Sequence, residues 1–318
     1  MDFSFVYNGE KILSKDLSGK RESDRIYYKY KDIAITQELR SYGSGGAYSL
    51  LWFENCGSVN SGTISEICDV DAELEFEKVF AFSRVGMDSF YLSPTKIVVS
   101  EGCNSVPTEY IYRSENLREE GNEYSCFGGR SSQGLLPYFE VKCENEGLLL
   151  GIGWSGQWVC RFKKETDKSI RVQAGIQNLS FYLRPGEKIR TASILLLRYA
   201  DGSFQAHNRF RNIIKKDFSV IGKPGRGEIA PLSMLTWGGA RSDFLKKQIR
   251  KQAELGLGFE YFWMDAGWYG DYTEECPDTF VGNWGAYTGD WTANKIVHPN
   301  GLAEIYDEAR QVGIFVFC

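Results

Sequence analysis

Along the first two hundred residues, apolar and polar positions alternate, and then the rhythm changes. LEFEKVFAF (74–82) trades apolar for polar residues along its length. PYFEVKC (137–143), QWVCRFK (157–163) and SIRVQAGI (169–176) follow. LSFYLRPGEKIRTASILLL (179–197) reads as two strands joined at Pro185-Gly186. A period of two broken by Gly, Asn and Pro predicts an antiparallel sandwich. SFQAHNRFRNIIKKDF (203–218) then spaces Phe210, Ile213 and Ile214 along one helical face, so an amphipathic helix is expected near 203–216. VIGKPGRGEIAP (220–231) is a Gly- and Pro-rich linker. The boundary falls there, with residues 1–222 as an all-β domain and 223–318 as a second domain.

The second domain alternates strands and helices. LSMLTW (232–237) is a strand; Ser242 is placed to cap a helix with Leu245, Ile249 and Ala253 on one face, and Gly256 stops it. FEYFWM (259–264) is the next strand, and a long loop runs to about Pro299. GLAEIYDEARQ (301–311) is a helix and GIFVFC (313–318) a third strand. A β-α-β-α-β order predicts parallel strands with crossover helices. A complete β/α barrel takes roughly 250 residues, and this half is much shorter. The expected architecture is therefore an all-β sandwich followed by an incomplete α/β barrel of TIM type, a fragment of a longer protein. A three-strand open sheet completed by a partner chain is the alternative.

Composition narrows the class. Apolar residues make up 42% and charged residues 25%, ordinary for a globular protein. The net charge of −5 argues against a nucleic-acid or anionic-membrane partner, which calls for a basic face. No apolar run reaches transmembrane length, and MDFSFVYNGEK at the start has neither the basic nor the apolar region of a signal peptide. None of the eight cysteines forms a CxxC pair, so reduced buried thiols in a cytoplasmic chain are expected, with no metal site. Only His207 and His298 are present, in a surface helix and before a proline, which leaves little material for a His-based triad.

The candidate chemistry lies in FWMDAGWYG (262–270), where an apolar strand ends in a carboxylate flanked by indoles. Ligands of α/β sheets bind at the C-terminal ends of strands. Trp237 ends the first strand of this half and Asp265 the second, and the loop beyond adds Trp268, Trp284, Asp290 and Trp291. Carboxylates accept hydrogen bonds from several hydroxyls, and an aromatic face covers the C–H face of a sugar ring. Against this stands the plainer reading: Asp265 caps the turn at Ala266-Gly267, and any single tryptophan is core, as Trp263 is expected to be. The acids Asp271, Glu274, Glu275 and Asp278 read as a solvated loop. TWGGA (236–240) lacks a phosphate-cradling lysine, so a phosphosugar site is not supported.

LTWGG (235–239), WMDAGWYG (263–270), GDW (289–291) and HPNGL (298–302), in this order, resemble the first third of the catalytic barrel of glycoside hydrolase family 36, the melibiase-type α-galactosidases. GRSSQGLLPYFEV (129–141), GIGWSGQW (151–158) and LRPGEKIRTASILLLRYADGSF (183–204) are similar to the β-supersandwich that precedes that barrel. The resemblance covers the chain from roughly residue 25 onward. It implies hydrolysis of terminal α-galactosides with retention, without metal or cofactor, and it allows a homo-oligomer. It implies that Trp237 lines the sugar pocket. Asp265 matches the first acid of the family's Asp-Asp-Gly-Trp motif, a ligand of galactose hydroxyls and not the nucleophile. Trp268, Asp290 and Trp291 complete the expected substrate-binding set. The nucleophile and acid/base are expected on later strands beyond Cys318, so the chain itself is expected to be inactive. Ala266 stands where the family has its second acid, which leaves an α-N-acetylgalactosaminidase or a galactosyl transferase of the same family as alternatives. A third reading is a non-catalytic, lectin-like protein that binds sugar through Trp154 and Trp158 of the sandwich.

Overall fold

The computed structural model describes residues 1–43, 45–81, 95–103, 110–221, 223, 231–270 and 284–318. Most of the linker reading at 220–231, the loop acids 271–278 and the GN of GNW lie outside the described residues, as does Phe82. The chain forms two compact units, Met1–Phe218 and Ser219–Cys318.

The first unit is built almost entirely of antiparallel strands. A nine-stranded sheet runs in the spatial order Tyr112–Asn116, Lys96–Glu101, Leu135–Lys142, Gly147–Gly153, Lys188–Tyr199, Gly46–Asn55, Ile33–Tyr42, Arg25–Tyr30, Lys20–Glu22. Two four-stranded sheets accompany it. One contains Asn122–Ser125, Trp158–Thr166, Ser169–Ile176 and Val70–Glu75; the other contains Ser180–Phe181, Ile64–Cys68, Ser4–Tyr7 and Glu10–Leu13. Val99, Phe139, Val141, Leu148, Leu150 and Ile194 of the large sheet meet Val70, Phe162, Ile170 and Val172 in one core. Ile33, Ile35, Leu51 and Phe53 meet Phe3, Phe5 and Ile64 in a second.

The opposite face of the large sheet is also buried at its centre. Helix Ser203–Ile213 lays Ala206, Phe210 and Ile213 on Tyr48, Leu149, Leu195 and Leu197. Covering on both sides explains why LLL (148–150) and ILLL (194–197) are unbroken apolar runs in an antiparallel sheet. Ile214–Phe218 continues this helix as a π turn, so the regular α-helix ends earlier than the apolar spacing predicts.

Two expectations about this unit are corrected. The strand placed at 74–82 is found at Val70–Glu75, displaced toward a polar stretch. Its Asp71 is buried and satisfied by Ser4 Oγ at 2.7 Å, Arg171 Nε at 2.7 Å and Gln173 Nε2 at 3.0 Å. Hydrogen bonds of this kind let a carboxylate occupy an interior strand position that an apolar pattern does not reveal. The lectin reading fares worse. Trp158 is fully buried, its Nε1 donates to the Ser131 carbonyl at 2.8 Å, and Trp154 packs partly buried against the same core. Trp158 is thus a core residue with no face free for a sugar, and Trp154 gives part of its surface to the same core.

Asp69 makes this unit sensitive to pH. The register between Lys188–Tyr199 and Gly46–Asn55 slips between Arg190 and Ser193, and Thr191 there donates its hydroxyl to Asp69 Oδ1. Asp69 Oδ2 has no hydrogen-bond partner among the described residues. Burial pushes the carboxyl up to about 8, only partly offset by the Thr191 hydrogen bond. The unfolded chain ionises Asp69 near the ordinary carboxylate value while the folded chain holds its proton, so this contribution to stability is full at acid pH. It is lost as pH rises through the window from about 4 to about 8. Chemical denaturation should show a loss of about 2–3 kcal/mol between pH 5 and 7 from this group, and the slope should flatten in Asp69→Asn.

The second unit is a small parallel sheet. Strands Ser233–Thr236, Tyr261–Met264 and Phe315–Phe317 lie in that order, all parallel, with helices Ser242–Glu254 and Ala303–Gln311 between them in sequence. Leu245, Ile249, Ile305 and Ala309 of the helices cover Phe262, Met264 and Ile314 on one face. Strand alternation sends the other residues to the opposite face, where Leu235, Trp263, Phe315 and Phe317 are about half exposed or more. Trp263 is thus not in the helix-covered core that its place in the strand suggests. It meets Phe317 edge-on at 5.6 Å on the uncovered face.

Ser242 also differs from expectation. It is the first helical residue, the capping position is Arg241, and no side chain caps the helix. Among the described residues of the whole chain, no helix is long and apolar enough to cross a membrane.

Candidate functional site

The tips of the first two parallel strands lie side by side. The amide of Asp265 donates to the Thr236 carbonyl at 2.8 Å. Beyond Thr236 the chain passes so close to Asp265 that a Cβ on Gly238 would lie 1.9 Å from the Asp265 carbonyl oxygen. Gly267 serves the same closeness from the other side. Its φ is +92°, and a Cβ there would lie 2.8 Å from Cζ2 of Trp237. Two glycines thus let the Trp237 indole and the Asp265 turn pack against each other, which side-chain-bearing residues would prevent.

Asp265 is exposed. Its Oδ1 accepts the amide N–H of Ala266 at 2.8 Å, and Oδ2 makes no hydrogen bond to a described residue. It caps the turn with one oxygen and leaves the other to solvent. The cap stops the carboxylate from swinging freely, so the second oxygen is presented in a set direction.

The loop before the last helix is laced onto the segment after Asp265. Tyr269 and Ala293 form an antiparallel bridge, Gly270 N–H donates to Thr292 O at 2.9 Å, and Asn294 N–H donates to Trp268 O at 2.8 Å. The lacing brings Trp291 onto Trp268, with centroids 6.0 Å apart and planes 22° from parallel. Tyr269 sits edge-on to both rings. Trp284 meets Trp237 edge-on at 6.2 Å. Trp291 is 64% exposed and Trp284 42%, so each pair keeps one indole open to solvent.

Asp290 behaves otherwise. Its carboxylate accepts the Thr292 N–H at 3.1 Å and its own N–H donates to Tyr287 O at 3.0 Å, which closes a local turn. No described contact brings it to Asp265. Of the five residues expected in the site, Trp237, Asp265, Trp268 and Trp291 gather around the two strand tips or the segment laced to them, and Asp290 shapes the loop.

His298 is the residue that the sequence does not reveal. It is completely buried, with Nε2 2.8 Å from the Gly238 carbonyl and Nδ1 2.9 Å from Ser242 Oγ. A carbonyl only accepts, so Nε2 carries the proton and Nδ1 accepts from the Ser242 hydroxyl. Burial holds the imidazole below its ordinary value, against the opposing pull of the Gly238 hydrogen bond. This neutral ring ties the tip of the first strand, next to Trp237, to the segment that ends the Trp291 loop. Its partners lie 56 and 60 residues away in sequence, so no local pattern signals the role.

His298→Phe keeps a ring but strands the buried Gly238 carbonyl and leaves the Ser242 hydroxyl only the Val297 carbonyl at 3.5 Å, and should lower stability by about 2–3 kcal/mol in urea unfolding. Because the unfolded imidazole binds a proton that the folded one excludes, the wild type should also lose stability as pH falls below about 6.5. The Phe variant should lack that acid-side decline.

Among the described residues, no group of three or more His, Cys, Asp or Glu side chains is placed to hold a metal ion. The seven described cysteines are free thiols, three of them buried.

No family profile matches the chain. Among curated proteins it is 24% identical over 212 residues to an α-galactosidase of Lactobacillus acidophilus, covering 63% of this chain and 27% of that protein. It is 28% identical over 217 residues to α-galactosidase C of Emericella nidulans, covering 64% and 28%. Among solved structures, the family 36 α-galactosidase AgaB of Geobacillus stearothermophilus superposes with a TM-score of 0.69 at 16% identity, over 99% of this chain and 44% of that one. A variant of AgaA from the same organism, crystallised with raffinose, superposes at 0.66 and 16% identity over 99% and 45%. The chain therefore spans less than half the length of the proteins it matches. By sequence and fold together it is similar to the N-terminal part of the family 36 α-galactosidases, as its motifs imply.

Proposed function

We propose that this chain supplies the sandwich domain and the first sugar-gripping groups of a retaining α-galactosidase. The observation that carries the reading is the setting of Asp265: an exposed carboxylate at a parallel strand tip, steadied through one oxygen by the Ala266 N–H, beside the Trp237 indole. The likeness to curated α-galactosidases and the raffinose complex of a structural neighbour support α-galactoside oligosaccharides as the substrates.

In this reading the free oxygen of Asp265 accepts hydrogen bonds from ring hydroxyls, and charge-assisted bonds of this kind are short and strong. The exposed indoles Trp284 and Trp291, backed by Trp237 and Trp268, cover the C–H faces of sugar units. Asp265 binds and orients; it is not assigned the nucleophile's role. Retention requires two carboxyl groups about 5–5.5 Å apart across the scissile bond, and we assign that pair to further strands of the same barrel. Asp290, on the loop, also spends one oxygen on its own turn and stays in the proposed binding set through the other.

Ala266 supports a second substrate. Where the family motif carries a second acid, this chain offers a methyl group and therefore one fewer acceptor for a hydroxyl. An α-N-acetylgalactosaminide, whose amide replaces a hydroxyl, is the analogue to compare.

The test uses nitrophenyl α-galactoside and nitrophenyl α-N-acetylgalactosaminide. The purified 318-residue chain should turn over neither, while a protein carrying this chain and the whole barrel should hydrolyse at least one with retention. Turnover by the short chain that disappears in Asp265→Ala, or inactivity of the longer protein on both substrates, contradicts the reading.

A further inference from the structure

The outer face of the nine-stranded sheet is covered by helix Ser203–Ile213 only in part. Beside the helix lies a cavity of about 400 Å³, within the size range of small-ligand pockets. One wall is aromatic. Tyr138 is 44% exposed and meets Phe210 at right angles, with centroids 6.2 Å apart. Gly151 makes room for that pair, since a Cβ there would lie 3.1 Å from Phe210 and 3.2 Å from Tyr138.

The polar lining is small and mixed. Glu140 is buried, with Oε1 accepting from the Tyr199 hydroxyl at 2.5 Å and Oε2 3.4 Å from His207 Nε2. Burial works against its charge, but hydrogen bonds from Ser203, Tyr199 and His207 outweigh that and hold the carboxyl below the usual carboxylate range. Arg211 also lines the cavity and gives one guanidinium donor to Asn208 Oδ1 at 2.7 Å. A guanidinium has five donors, so Arg211 has others to offer.

We propose that this cavity is a second carbohydrate site, one that takes a neutral pyranose. One carboxylate and one guanidinium balance, so the lining favours neither an anion nor a cation. An acceptor and donors lining one cavity match the hydroxyls of a sugar, which both give and accept hydrogen bonds. The Tyr138 ring offers an apolar face for the C–H side of the sugar. A purely apolar ligand would take water from the Arg211 guanidinium without giving it a new partner, which is costly. Every residue involved belongs to the sandwich unit, so the site stands whether or not the barrel reading holds. It also moves sugar binding on the sandwich away from Trp158, which is core, and from Trp154, which packs against it.

The test is titration of the 318-residue chain with methyl α-galactopyranoside and methyl α-glucopyranoside, followed by saturation-transfer NMR, with circular dichroism to verify each variant's fold. Saturable binding of at least one sugar is expected, weakened about tenfold by Tyr138→Ala and also weakened by Arg211→Ala, which changes an exposed helix position. Two results would overturn the proposal: no saturable binding of either sugar, or binding that both sandwich variants leave intact.

Discussion

Asp265→Ala in a protein carrying this chain and the complete barrel should lower kcat/KM on an α-galactoside by about 10²- to 10³-fold, or about 3–4 kcal/mol. The carboxylate has one oxygen committed to the Ala266 N–H and one that faces outward without a described partner. Removing the side chain deletes the charged acceptor proposed to bind hydroxyls and also loosens the turn that carries Trp268. Asn at this position keeps an oxygen to hold the turn, so Asp265→Asn should separate the two effects. It should preserve the unfolding midpoint while losing most of the same kcat/KM. A variant whose kinetics match the wild type would mean that the exposed oxygen faces solvent and nothing else. Steady-state kinetics on a nitrophenyl α-galactoside, paired with urea unfolding, reads both quantities.

Gly238→Ala should be the most damaging single methyl in the second unit. The added Cβ would sit 1.9 Å from the Asp265 carbonyl and 3.0 Å from Trp268. The first obstacle is backbone and cannot rotate away. Relief requires the two strand tips to part, which breaks the bond from Asp265 N–H to Thr236 O and pulls the Gly238 carbonyl off His298. The expected loss is about 4 kcal/mol or more, enough to unfold a small unit with a short core. Loss of helical signal from the second unit, with the sandwich transition unchanged, is the outcome to look for. A substitution tolerated within 1 kcal/mol, on the order of an ordinary surface change, would show that the strand tips are not packed so closely.

How much of this was legible beforehand depended on where each residue's partners lie. SIRVQAGI matched its strand, Ser169–Ile176, because its alternation is uninterrupted and both flanks turn sharply. The helix and strand order of the second unit followed from a periodicity change that needs no long-range information. The strand at Val70–Glu75 was displaced because Asp71 is polar in an apolar position, and its satisfaction comes from Ser4, Arg171 and Gln173, far away in sequence. Trp263 left its expected core for a related reason, while Trp158 is the core residue that sandwich tryptophans usually are. An indole's fate is set by what covers its face of the sheet: helices leave the Trp263 face bare, while Trp158 is enclosed by the sandwich.

Asp265 and Trp237 could be placed at one mouth by strand order alone. The stacking of Trp291 on Trp268 and the turn closed by Asp290 could not, since both depend on how the 284–294 loop folds back. The His298 clamp joins three sequence-distant segments and has no one-dimensional signature.

The central claim is that Asp265 grips the hydroxyls of a pyranose beside Trp237. The most direct measurement is calorimetric titration of the barrel-complete protein with 1-deoxygalactonojirimycin, the compound in complex with a structural neighbour, comparing wild type with Asp265→Asn. The account predicts saturable binding that weakens at least about tenfold in the variant, with the unfolding midpoint unchanged. Equal affinity in the two proteins would contradict it.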